Sequence, residues 1–571
     1  MMEQQKQSDS RFLRFFRCLA IFVPAACFLW LLVSPHAVRA EFHEQIAIST
    51  QAISLGNAVT ARPPGHMAIH YNPAGLSLLP EGHQLSMGIT IPVVDKTSRF
   101  KKDENFGGFL EGQYDEEDPL FAESDEVEGE NTDGRMYVPL VNDTLDFLIS
   151  PSLGISSRSE DSKWTFAIGN YAPFAVGLVH DDKDDPTRFG GRGVYWQHLV
   201  YAAPAASCQV TDNFSLGISV GLGQSAMGAE LDMRTPHDLM ALSRIMGDAT
   251  EGMMIPPFTQ LYYDEPFFGG GLSPYERSAT LELDMRSDFS PNYNLGLLYS
   301  PWDWLSLGLV YQSRIKAYLD GDYKIEYSES WQNFVNWFGQ GPLGTRRVSA
   351  MFDIPVTPVE SQSGRVTSEI EYPERVQVGI KLSPFDWLNL MVDAKWANWS
   401  VLDEDEYVFD QNIQLFRFAK FGGYAGGNDT LVIRRHFENT LDWAVGLEIS
   451  PADWLDVRLG YEWRESSVED EYYDLLMALP DLHSVGAGFG FHFRNGMSID
   501  IAGAWLFNDS YEIDAGESRN LNSPDFDKIV YNPYVGADYE QETHTYMGSL
   551  TATMPFSVVH SAADKLLSPF F

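Results

Sequence analysis

Residues 450–464 read Ser-Pro-Ala-Asp-Trp-Leu-Asp-Val-Arg-Leu-Gly-Tyr-Glu-Trp-Arg, a short turn followed by a strict alternation of apolar and polar side chains. One face of the predicted strand carries Leu455, Val457, Leu459, Tyr461 and Trp463, and the other carries Asp456, Arg458, Gly460, Glu462 and Arg464. A period of two residues is the pattern of a pleated strand whose two faces meet different environments.

The same turn occurs twice more in the chain. Its other copies are Ser300-Pro301-Trp302-Asp303-Trp304-Leu305 and Ser383-Pro384-Phe385-Asp386-Trp387-Leu388. A strand-like run precedes each copy, at 294–299, 376–382 and 443–449. The repeat therefore predicts long antiparallel strands joined by tight turns that carry tryptophan.

Two architectures contain strands with one apolar face, a soluble β-sandwich and a transmembrane β-barrel. Strands of soluble proteins average about five or six residues, whereas alternating runs long enough to cross a membrane recur along this chain. Aromatic residues lie near the strand ends, as in the girdles of outer-membrane barrels. The pattern favours the barrel, and the sandwich is the alternative.

Residues 1–40 have the pattern of a secretory signal peptide. A basic region with three arginines precedes an apolar run over residues 18–33, and Val38 and Ala40 are small residues at the positions that signal peptidase reads. We expect a mature N-terminus at Glu41. An uncleaved anchor helix is the alternative, which the shortness of the run and its proline disfavour.

The composition is strongly acidic, with a formal net charge of −41 at pH 7. This charge argues against a nucleic-acid partner, because nucleic-acid binding depends on basic side chains that neutralise phosphates. The acidic loops either bind divalent cations beside a lipopolysaccharide surface or form a solvated, repelling coat, which is the simpler explanation. Cys208 is the one cysteine outside the signal segment, so the mature chain cannot form an intrachain disulfide.

Residues 41–82 do not alternate and are rich in Pro, Gly and small side chains. In this segment, Gly56-Asn57-Ala58 and Tyr71-Asn72-Pro73-Ala74-Gly75-Leu76 resemble the N-terminal hatch of the FadL/TodX (OMPP1) family of outer-membrane long-chain fatty acid and hydrocarbon transporters. Further stretches resemble the family in the same order, namely Phe189-Gly190-Gly191-Arg192, residues 213–217, residues 311–316 with Gly321-Asp322-Tyr323, and Tyr372-Pro373-Glu374. The resemblance covers nearly the whole mature chain.

This resemblance implies an all-β fold, a transmembrane antiparallel β-barrel of about 14 strands with the hatch inside its lumen. We divide the chain into a signal peptide (1–40), a hatch or plug (41–82), the barrel (83–556) and a C-terminal tail (557–571). Strands are predicted at 84–93, 145–157, 163–173, 193–209, 213–231, 279–300, 304–326, 365–382, 388–407, 431–449, 454–468, 481–493, 497–511 and 541–556. Long connections alternate with short ones such as Arg494-Asn495-Gly496, as in outer-membrane barrels.

Two segments depart from the family pattern. Residues 96–142 form a long acidic insertion, which we expect to be a solvated outer loop, because the spacing of a calcium loop is absent. Residues 557–571 continue beyond the last predicted strand, so either Phe556 or Phe571 supplies the terminal aromatic of the assembly signal.

Two short motifs suggest chemistry but have simpler explanations. Residues 217–221 match the nucleophile elbow of hydrolases, yet Ser219 falls in the middle of an alternating strand and is predicted to face the lumen. His66 and His70 are four residues apart without nearby carboxylates, so a structural role is favoured over a metal site. We expect no catalytic residue, no metal and no cofactor.

The seventh predicted strand places basic side chains in the lumen. If Leu305 and every second residue after it face lipid, the alternation puts Arg314 and Lys316 inside. Inward cations beside apolar surface suit the carboxylate head of an amphiphile. The family resemblance implies that Lys316 and Arg192 contact that carboxylate, and pairing with lumen acids such as Glu462 is the alternative.

The predicted outer loops contain apolar stripes. The first includes Leu239, Met240, Leu242, Ile245 and Met246 with residues 253–255, and the second includes Trp331, Phe334, Val335, Trp337 and Phe338. Apolar side chains on the water side of a membrane either pack on each other or bind an apolar molecule. The resemblance implies that these loops form a first, weak capture groove, with Met240, Met246, Trp331, Phe334 and Trp337 among its contacts.

Pro173 interrupts the third predicted strand. Proline cannot donate to a ladder and the neighbouring glycines weaken pairing, so we expect a local gap or inward bend there. The alternative is that Pro173 only ends the strand. The resemblance implies that the ligand leaves sideways through such a kink into the membrane, with Asn72, Pro73 and Ala74 of the hatch controlling access.

These observations predict a channel in the outer membrane of a Gram-negative bacterium that takes up hydrophobic compounds, with long-chain fatty acids as the expected ligand. An aromatic or alkane hydrocarbon channel is the alternative within transport, and a lipid-degrading barrel enzyme or a polar porin is the alternative from another class. The expected partners are outer-membrane lipid or lipopolysaccharide and the barrel assembly machinery. We expect the protein to be a monomer.

Overall fold

The computed structural model describes residues 43–44, 48–103, 108–139, 142–251, 266–340, 345–421, 424, 426–477, 480–524 and 532–559. The predicted signal peptide, Glu41, residues 253–255 and most of the C-terminal tail, including Phe571, lie outside these ranges. Among the described residues, no helix has the length and apolarity needed to span a membrane.

The strands are numbered in chain order. They are β1 (His43–Glu44), β2 (Gly82–Lys102), β3 (Glu126–Glu130), β4 (Asp133–Gly134), β5 (Met136–Val138), β6 (Asp143–Leu145), β7 (Ser150–Arg158), β8 (Trp164–Val179), β9 (Gly193–Ala202), β10 (Ala205–Thr211), β11 (Phe214–Met233), β12 (Ala279–Arg286), β13 (Asn292–Trp302), β14 (Leu305–Gln312), β15 (Ile315–Tyr327), β16 (Ser361–Tyr372), β17 (Arg375–Phe385), β18 (Leu388–Ala397), β19 (Glu404–Phe409), β20 (Thr430–Arg434), β21 (Thr440–Ala452), β22 (Leu455–Arg464), β23 (Leu482–His492), β24 (Ser498–Phe507), β25 (Tyr511–Ile513) and β26 (Ala537–Pro555).

The helices are α1 (Thr50–Ser54), α2 (Ala68–Tyr71), α3 (Arg188–Gly191), α4 (Asp238–Thr250), α5 (Glu329–Gln340), α6 (Thr345–Phe352) and α7 (Gln414–Phe421). Short 3₁₀ helices occur at Gly65–Met67, Pro73–Leu78, Phe109–Gly112, Pro119–Phe121, Phe267–Gly270, Trp399–Val401 and Asp470–Tyr472.

The strands form a closed antiparallel barrel of 14 wall strands, which confirms the predicted fold class. Seven wall strands are single segments, namely β2 (wall strand 1), β7 (2), β8 (3), β11 (5), β22 (11), β23 (12) and β26 (14). The other seven each consist of two consecutive segments, namely β9–β10 (wall strand 4), β12–β13 (6), β14–β15 (7), β16–β17 (8), β18–β19 (9), β20–β21 (10) and β24–β25 (13). The first and last wall strands close the barrel, with pairs from Gln84↔Pro555 to Lys102↔Ala537.

The repeated turn lies at the short-turn end of the barrel, as predicted. In two of its copies, aromatic rings stack across the turn. Trp302 and Trp304 have ring centroids 5.3 Å apart, and Phe385 and Trp387 have centroids 5.4 Å apart. All four side chains point outward from the wall and are exposed. They form part of an aromatic girdle of the kind that marks a membrane–water boundary.

The two faces of β22 point in the predicted directions, with the charged side chains toward the interior and the apolar ones toward the outside. Asp456, Arg458 and Glu462 are buried in the interior, whereas Leu459 on the other face is 50% exposed. An apolar face turned outward and a charged face turned inward is the reverse of a soluble protein and is the pattern of a barrel in lipid.

The acidic insertion is more ordered than the predicted solvated loop. Strand β2 continues to Lys102, because it pairs with β26 along this whole length. Its upper half also pairs with β3, from Thr97↔Glu130 to Lys101↔Glu126. The expectation that a loop begins at Lys96 is therefore wrong, and part of the insertion extends the barrel wall.

The N-terminal segment, residues 48–79, packs against the inward face of the wall. Wall glycines permit this contact, because the segment's backbone occupies the place of a side chain at several of them. Leu55 lies against Gly446 and Gly460, and Thr60 lies against Gly308 and Gly379. Glycine within a strand commonly marks such an approach of one backbone to another.

We expect the detergent-extracted protein to be heat-modifiable on gels, because the long ladder between the first and last wall strands must be broken before the barrel unfolds. Unboiled samples should migrate differently from boiled ones, and mass spectrometry of the mature chain should find Glu41 at the N-terminus. A protein recovered in soluble form from the periplasm, or one that keeps residues 1–40, would contradict this prediction.

Candidate functional site

One ion pair joins the N-terminal segment to a group of charged wall residues low in the lumen, near the short turns. Arg62 lies 2.7 Å from Glu448, and Arg458 on the wall lies 2.8 Å from the same carboxylate. Arg458 also pairs with Asp456 at 3.0 Å and with Asp500 at 2.6 Å. The guanidinium of Arg458 is buried, so these carboxylates stabilise a charge that burial alone would penalise.

A second group of polar contacts lies next to the first. The amide of Asn57 donates to Glu462 at 2.8 Å, and Tyr71 donates to Asn57 at 3.0 Å. Glu462 also pairs with Lys395 and with Arg464. The lumen acids Asp456 and Glu462 are thus paired with other bases than Lys316 and Arg192.

The helical turns of the segment face wall strands 4 to 7. The carbonyl of Ile69 accepts from Ser219 at 2.7 Å, and the carbonyl of His70 accepts from Gln312 at 2.8 Å. Ser219 therefore faces the lumen in the middle of β11, as predicted, and has no strand-to-helix elbow. Burial lowers the pKa of His70 to about 3 and that of His66 to about 4, so both rings are neutral.

Asn72 and its two successors lie against wall strands 4 to 6. Asn72 accepts from the amide of Ala74 at 3.2 Å, caps the turn that Pro73 begins, and donates to the carbonyl of Leu297 at 3.1 Å. Ser207 donates to the carbonyl of Ala74 at 3.0 Å. A different part of the segment contacts wall strand 3, where the centroid of the His70 ring is 4.7 Å from that of Tyr171.

One apolar cluster fills the barrel above this segment and continues into the outer loops. We call it the upper cluster. Its members include, from the lumen outward, Phe174, Trp196, Tyr372, Met227, Tyr407, Leu319, Ile325, Trp331, Phe334 and Phe418. The N-terminal segment has a separate cluster with Tyr171, Val200 and Met391 of the wall. An apolar interior therefore extends from the outer loops down to Phe174 on wall strand 3.

Arg375 is the cation at the lower end of the upper cluster. Its guanidinium carbon lies 4.7 Å above the centre of the Phe174 ring, and the side chain is buried. Tyr372 contacts the same ring, with centroids 4.5 Å apart. The sequence held a signal for this residue, since Arg375, Gln377 and Gly379 alternate with lipid-facing Val376, Val378 and Ile380.

Lys316 lies on the opposite face from the predicted one. It belongs to β15, where Ile315, Ala317 and Leu319 are buried in the upper cluster and the intervening residues point outward. Its side chain is 51% exposed and pairs with Glu371 and, at 3.6 Å, with Glu369. The prediction fails because Ser313 and Arg314 interrupt the ladder between β14 and β15, and the alternation changes phase there.

Arg314 and Arg192, the other two cations predicted to contact the ligand, also pair with glutamates. Arg314 lies 2.7 Å from Glu371 and 3.0 Å from Glu374. Arg192 lies 2.8 Å from Glu230, which alternates with the buried Ala229 and Leu231 of β11. The structure brings neither of these cations to the aromatic contacts of the upper cluster.

Both apolar stripes of the outer loops contribute side chains to the upper cluster. Trp337 contacts Phe268, with ring centroids 4.6 Å apart, and Phe334 contacts Phe418 at 4.9 Å. Met240, Trp331, Phe334 and Trp337 are all buried, whereas Met246 is 37% exposed. Met240, Trp331, Phe334 and Trp337 therefore pack within the outer end of the upper cluster, and Met246 is not among its members.

Pro173 lies within β8 and does not end it. The pairing between β8 and β9 is regular on both sides but shifts register between Tyr171 and Phe174. The strand then continues to Val179. The predicted irregularity at this position is present, and the alternative of a simple strand end is wrong.

Comparisons with known proteins agree with this architecture. A family model described as outer membrane protein transport protein (OMPP1/FadL/TodX) matches residues 36–556. A Pseudomonas aeruginosa FadL homologue is similar in structure, with a TM-score of 0.62, 16% identity, and coverage of 90% of this chain and 100% of the other. The Pseudomonas putida toluene transporter TodX has a TM-score of 0.55 and 13% identity, covering 90% and 99%. A comparison with curated protein sequences found no match.

Proposed function

The chain belongs to the OMPP1/FadL/TodX family of outer-membrane transport proteins, and from this premise we propose that it takes up long-chain fatty acids. Its class as an outer-membrane transporter of hydrophobic compounds follows from the family. The observation that supports a fatty acid is the position of Arg375, a buried cation at the inner end of a continuous apolar interior. A long alkyl chain with a carboxylate at one end matches both features.

The proposed path begins at the outer loops. Met240, Met246, Trp331, Phe334 and Trp337 would offer the first apolar contacts, with Met246 the most exposed of them. Each methylene moved from water into apolar surroundings gains about 0.8 kcal/mol. Burial along the upper cluster therefore supplies the driving force for inward movement, and no chemical step is required.

At the inner end, the carboxylate would meet Arg375. A charge-assisted hydrogen bond between a guanidinium and a carboxylate contributes about 1.5–3 kcal/mol when both groups are removed from water. Phe174 and Tyr372, which flank the guanidinium, would bury the first methylenes of the chain. In this proposal Arg375 takes the role that the family resemblance suggested for Lys316 and Arg192.

Release is proposed to occur sideways at wall strand 3, where the ladder shifts register beside Pro173. An acyl chain is far more stable in lipid than in periplasmic water, so a lateral route avoids the cost of full hydration. The N-terminal segment would act as a hatch that prevents leakage to the periplasm. Asn72, Pro73 and Ala74 would fix its position against wall strands 4 to 6.

An aromatic hydrocarbon is the second candidate ligand. The observation that favours it is the number of rings in the outer part of the upper cluster, where Phe268, Phe334, Trp337 and Phe338 contact one another. Aromatic pairs gain about 0.5–1.5 kcal/mol beyond area burial, and a small ring could replace one partner. This candidate does not use Arg375.

Binding of matched ligands distinguishes the two candidates. The purified protein in detergent should bind palmitate more tightly than hexadecane of equal chain length, and both more tightly than toluene. Uptake should follow the same order in cells that depend on this protein. Preference for toluene, or equal affinity for palmitate and hexadecane, would overturn the fatty acid proposal and favour the hydrocarbon channel.

A further inference from the structure

The wall has a gap in its hydrogen-bond ladder between strands 2 and 3. Pairing of β7 with β8 runs from Arg158↔Thr165 to Leu153↔Asn170 and stops there. Strand β8 continues to Val179, and among the described residues its remaining partners on this edge are the two-residue strands β1 and β4. The gap begins at Tyr171 and includes the register shift at Pro173.

A hairpin from the acidic insertion fills this gap. We call it the wall hairpin and define it as β5 and β6 with their described flanks, residues 133–139 and 142–149. Its strands pair with each other in a separate two-stranded sheet, outside the ladder of the barrel. Met136 and Leu148 are buried in the upper cluster, so this side of the wall hairpin faces the interior of the barrel.

The other side of the wall hairpin lies on the outer surface of the barrel. Tyr137 receives a hydrogen bond at its carbonyl from Gln197 at 2.7 Å and donates its amide to the same side chain at 3.0 Å. Gln197 points outward, because its neighbours Trp196 and His198 both face Tyr372 in the lumen. The wall hairpin therefore passes through the full thickness of the wall.

Further contacts of the outer side are made by side chains. The Tyr137 ring stacks on Tyr195, with centroids 6.5 Å apart, and packs with it and Ala226, and Asn142 accepts a hydrogen bond from Arg286. The guanidinium of Arg286 lies 4.3 Å above the Tyr137 ring, and Arg135 pairs with Asp146 at 3.0 Å. The carbonyl of Arg135 occupies the place that a side chain at Gly177 would take. Among the described residues of the wall hairpin, backbone pairing to the barrel is limited to two positions, Asp133↔Val179 and Gly134↔Leu178.

These contacts hold the wall hairpin much less firmly than a ladder holds a wall strand. By comparison, the wall strand β2 is joined to β26 by a hydrogen-bonded ladder from Gln84 to Lys102. Local opening is easiest where few buried contacts and few backbone hydrogen bonds must be broken. Moving the wall hairpin would therefore break fewer backbone hydrogen bonds to the barrel than moving a wall strand such as β2.

We propose that the wall hairpin is the gate of a lateral exit, which an apolar ligand passes when the hairpin swings outward from the wall. The inner surface of this gate belongs to the same cluster as Phe174, the ring that covers Arg375. A ligand held at Arg375 therefore lies behind the gate. This inference rests on the proposed function and adds the element that opens and closes the exit.

A disulfide between β4 and β8 tests the gate. Asp133 and Val179 are direct cross-strand partners, a spacing that suits a disulfide. Asp133→Cys and Val179→Cys would be combined in a Cys208→Ser background, which removes the remaining cysteine of the mature chain. The matched control is Val138→Cys with Asp143→Cys, which joins β5 to β6 and leaves the wall hairpin free to move as a unit.

With the bridge confirmed by mass spectrometry, we expect palmitate uptake to fall at least tenfold while palmitate binding in detergent stays at the wild-type level. Reductant should restore uptake, and the control bridge should leave it unchanged. If the variant with the β4–β8 bridge formed took up palmitate at the wild-type rate, the gate proposal would be overturned. Failure of the reduced protein and the wild type to take up palmitate would instead overturn the proposed function, and the gate with it.

A second variant approaches the gate from the other direction. Gly177→Val places a side chain where the Arg135 carbonyl lies, which should displace the wall hairpin without removing a contact residue of the lumen. We expect faster ligand release and greater protease cleavage between residues 133 and 149, with heat-modifiable migration preserved. Unchanged cleavage and unchanged release in a correctly folded variant would contradict the inference.

Discussion

Gly460→Val is expected to dislodge the N-terminal segment and turn the barrel into a leaky pore. The backbone of Leu55 and Gly56 fills the place of a side chain at Gly460. Overpacking a core costs about 1–3 kcal/mol when side chains can yield, and here the obstacle is backbone. The segment should move away and lose the hydrogen bond from Asn57 to Glu462. Cells should become sensitive to large polar antibiotics, and residues 48–79 should become accessible to protease.

The matched control is Gly503→Val on the lipid-facing side of β24. The nearest atom to an added side chain there is the carbonyl of Met547 at 3.5 Å, an ordinary contact distance. Glycine in a strand is less favourable than a residue with a side chain, so this variant should be neutral or slightly stabilising. Equal leakage from both variants would show that the effect belongs to strand propensity and does not involve the N-terminal segment.

Arg375→Met is expected to weaken palmitate binding by roughly ten- to a hundredfold, as the loss of a buried charge-assisted contact implies. Methionine keeps the length and apolar volume of the arginine stem, so packing against Phe174 should survive. Hexadecane binding should change little, because an alkane has no head group for the guanidinium. Isothermal titration or quenching of tryptophan fluorescence in detergent would give both affinities.

Lys316→Ala is the control for this result. The side chain is half exposed on the outer face and paired with Glu371, and ion pairs between solvent-exposed side chains contribute little. We expect unchanged affinity for both ligands. A loss of palmitate binding in Lys316→Ala with none in Arg375→Met would reverse the assignment and restore the position that strand alternation predicted from the sequence.

The sequence alone determined the architecture of the barrel. The turn at residues 450–455 and its two other copies set the ends of long strands, and alternation in β22 set their sides. Both signals are local, because a tight turn depends on adjacent residues and the pleat of a strand repeats every two residues. The irregularity at Pro173 was predictable for the same reason, since a missing amide donor disturbs the ladder at its own position.

The tertiary structure alone decided which charges reach the interior and what completes the wall. The interruption between β14 and β15 changes the phase of alternation, so Lys316 turns outward, and no local pattern marks the change. The contact of Arg375 with Phe174 joins wall strands 8 and 3 across the lumen. The wall hairpin closes a gap with residues that sequence composition assigned to a solvated loop. Each depends on segments distant in the chain, whose proximity is set only when the ladder closes the barrel and fixes every strand's neighbours.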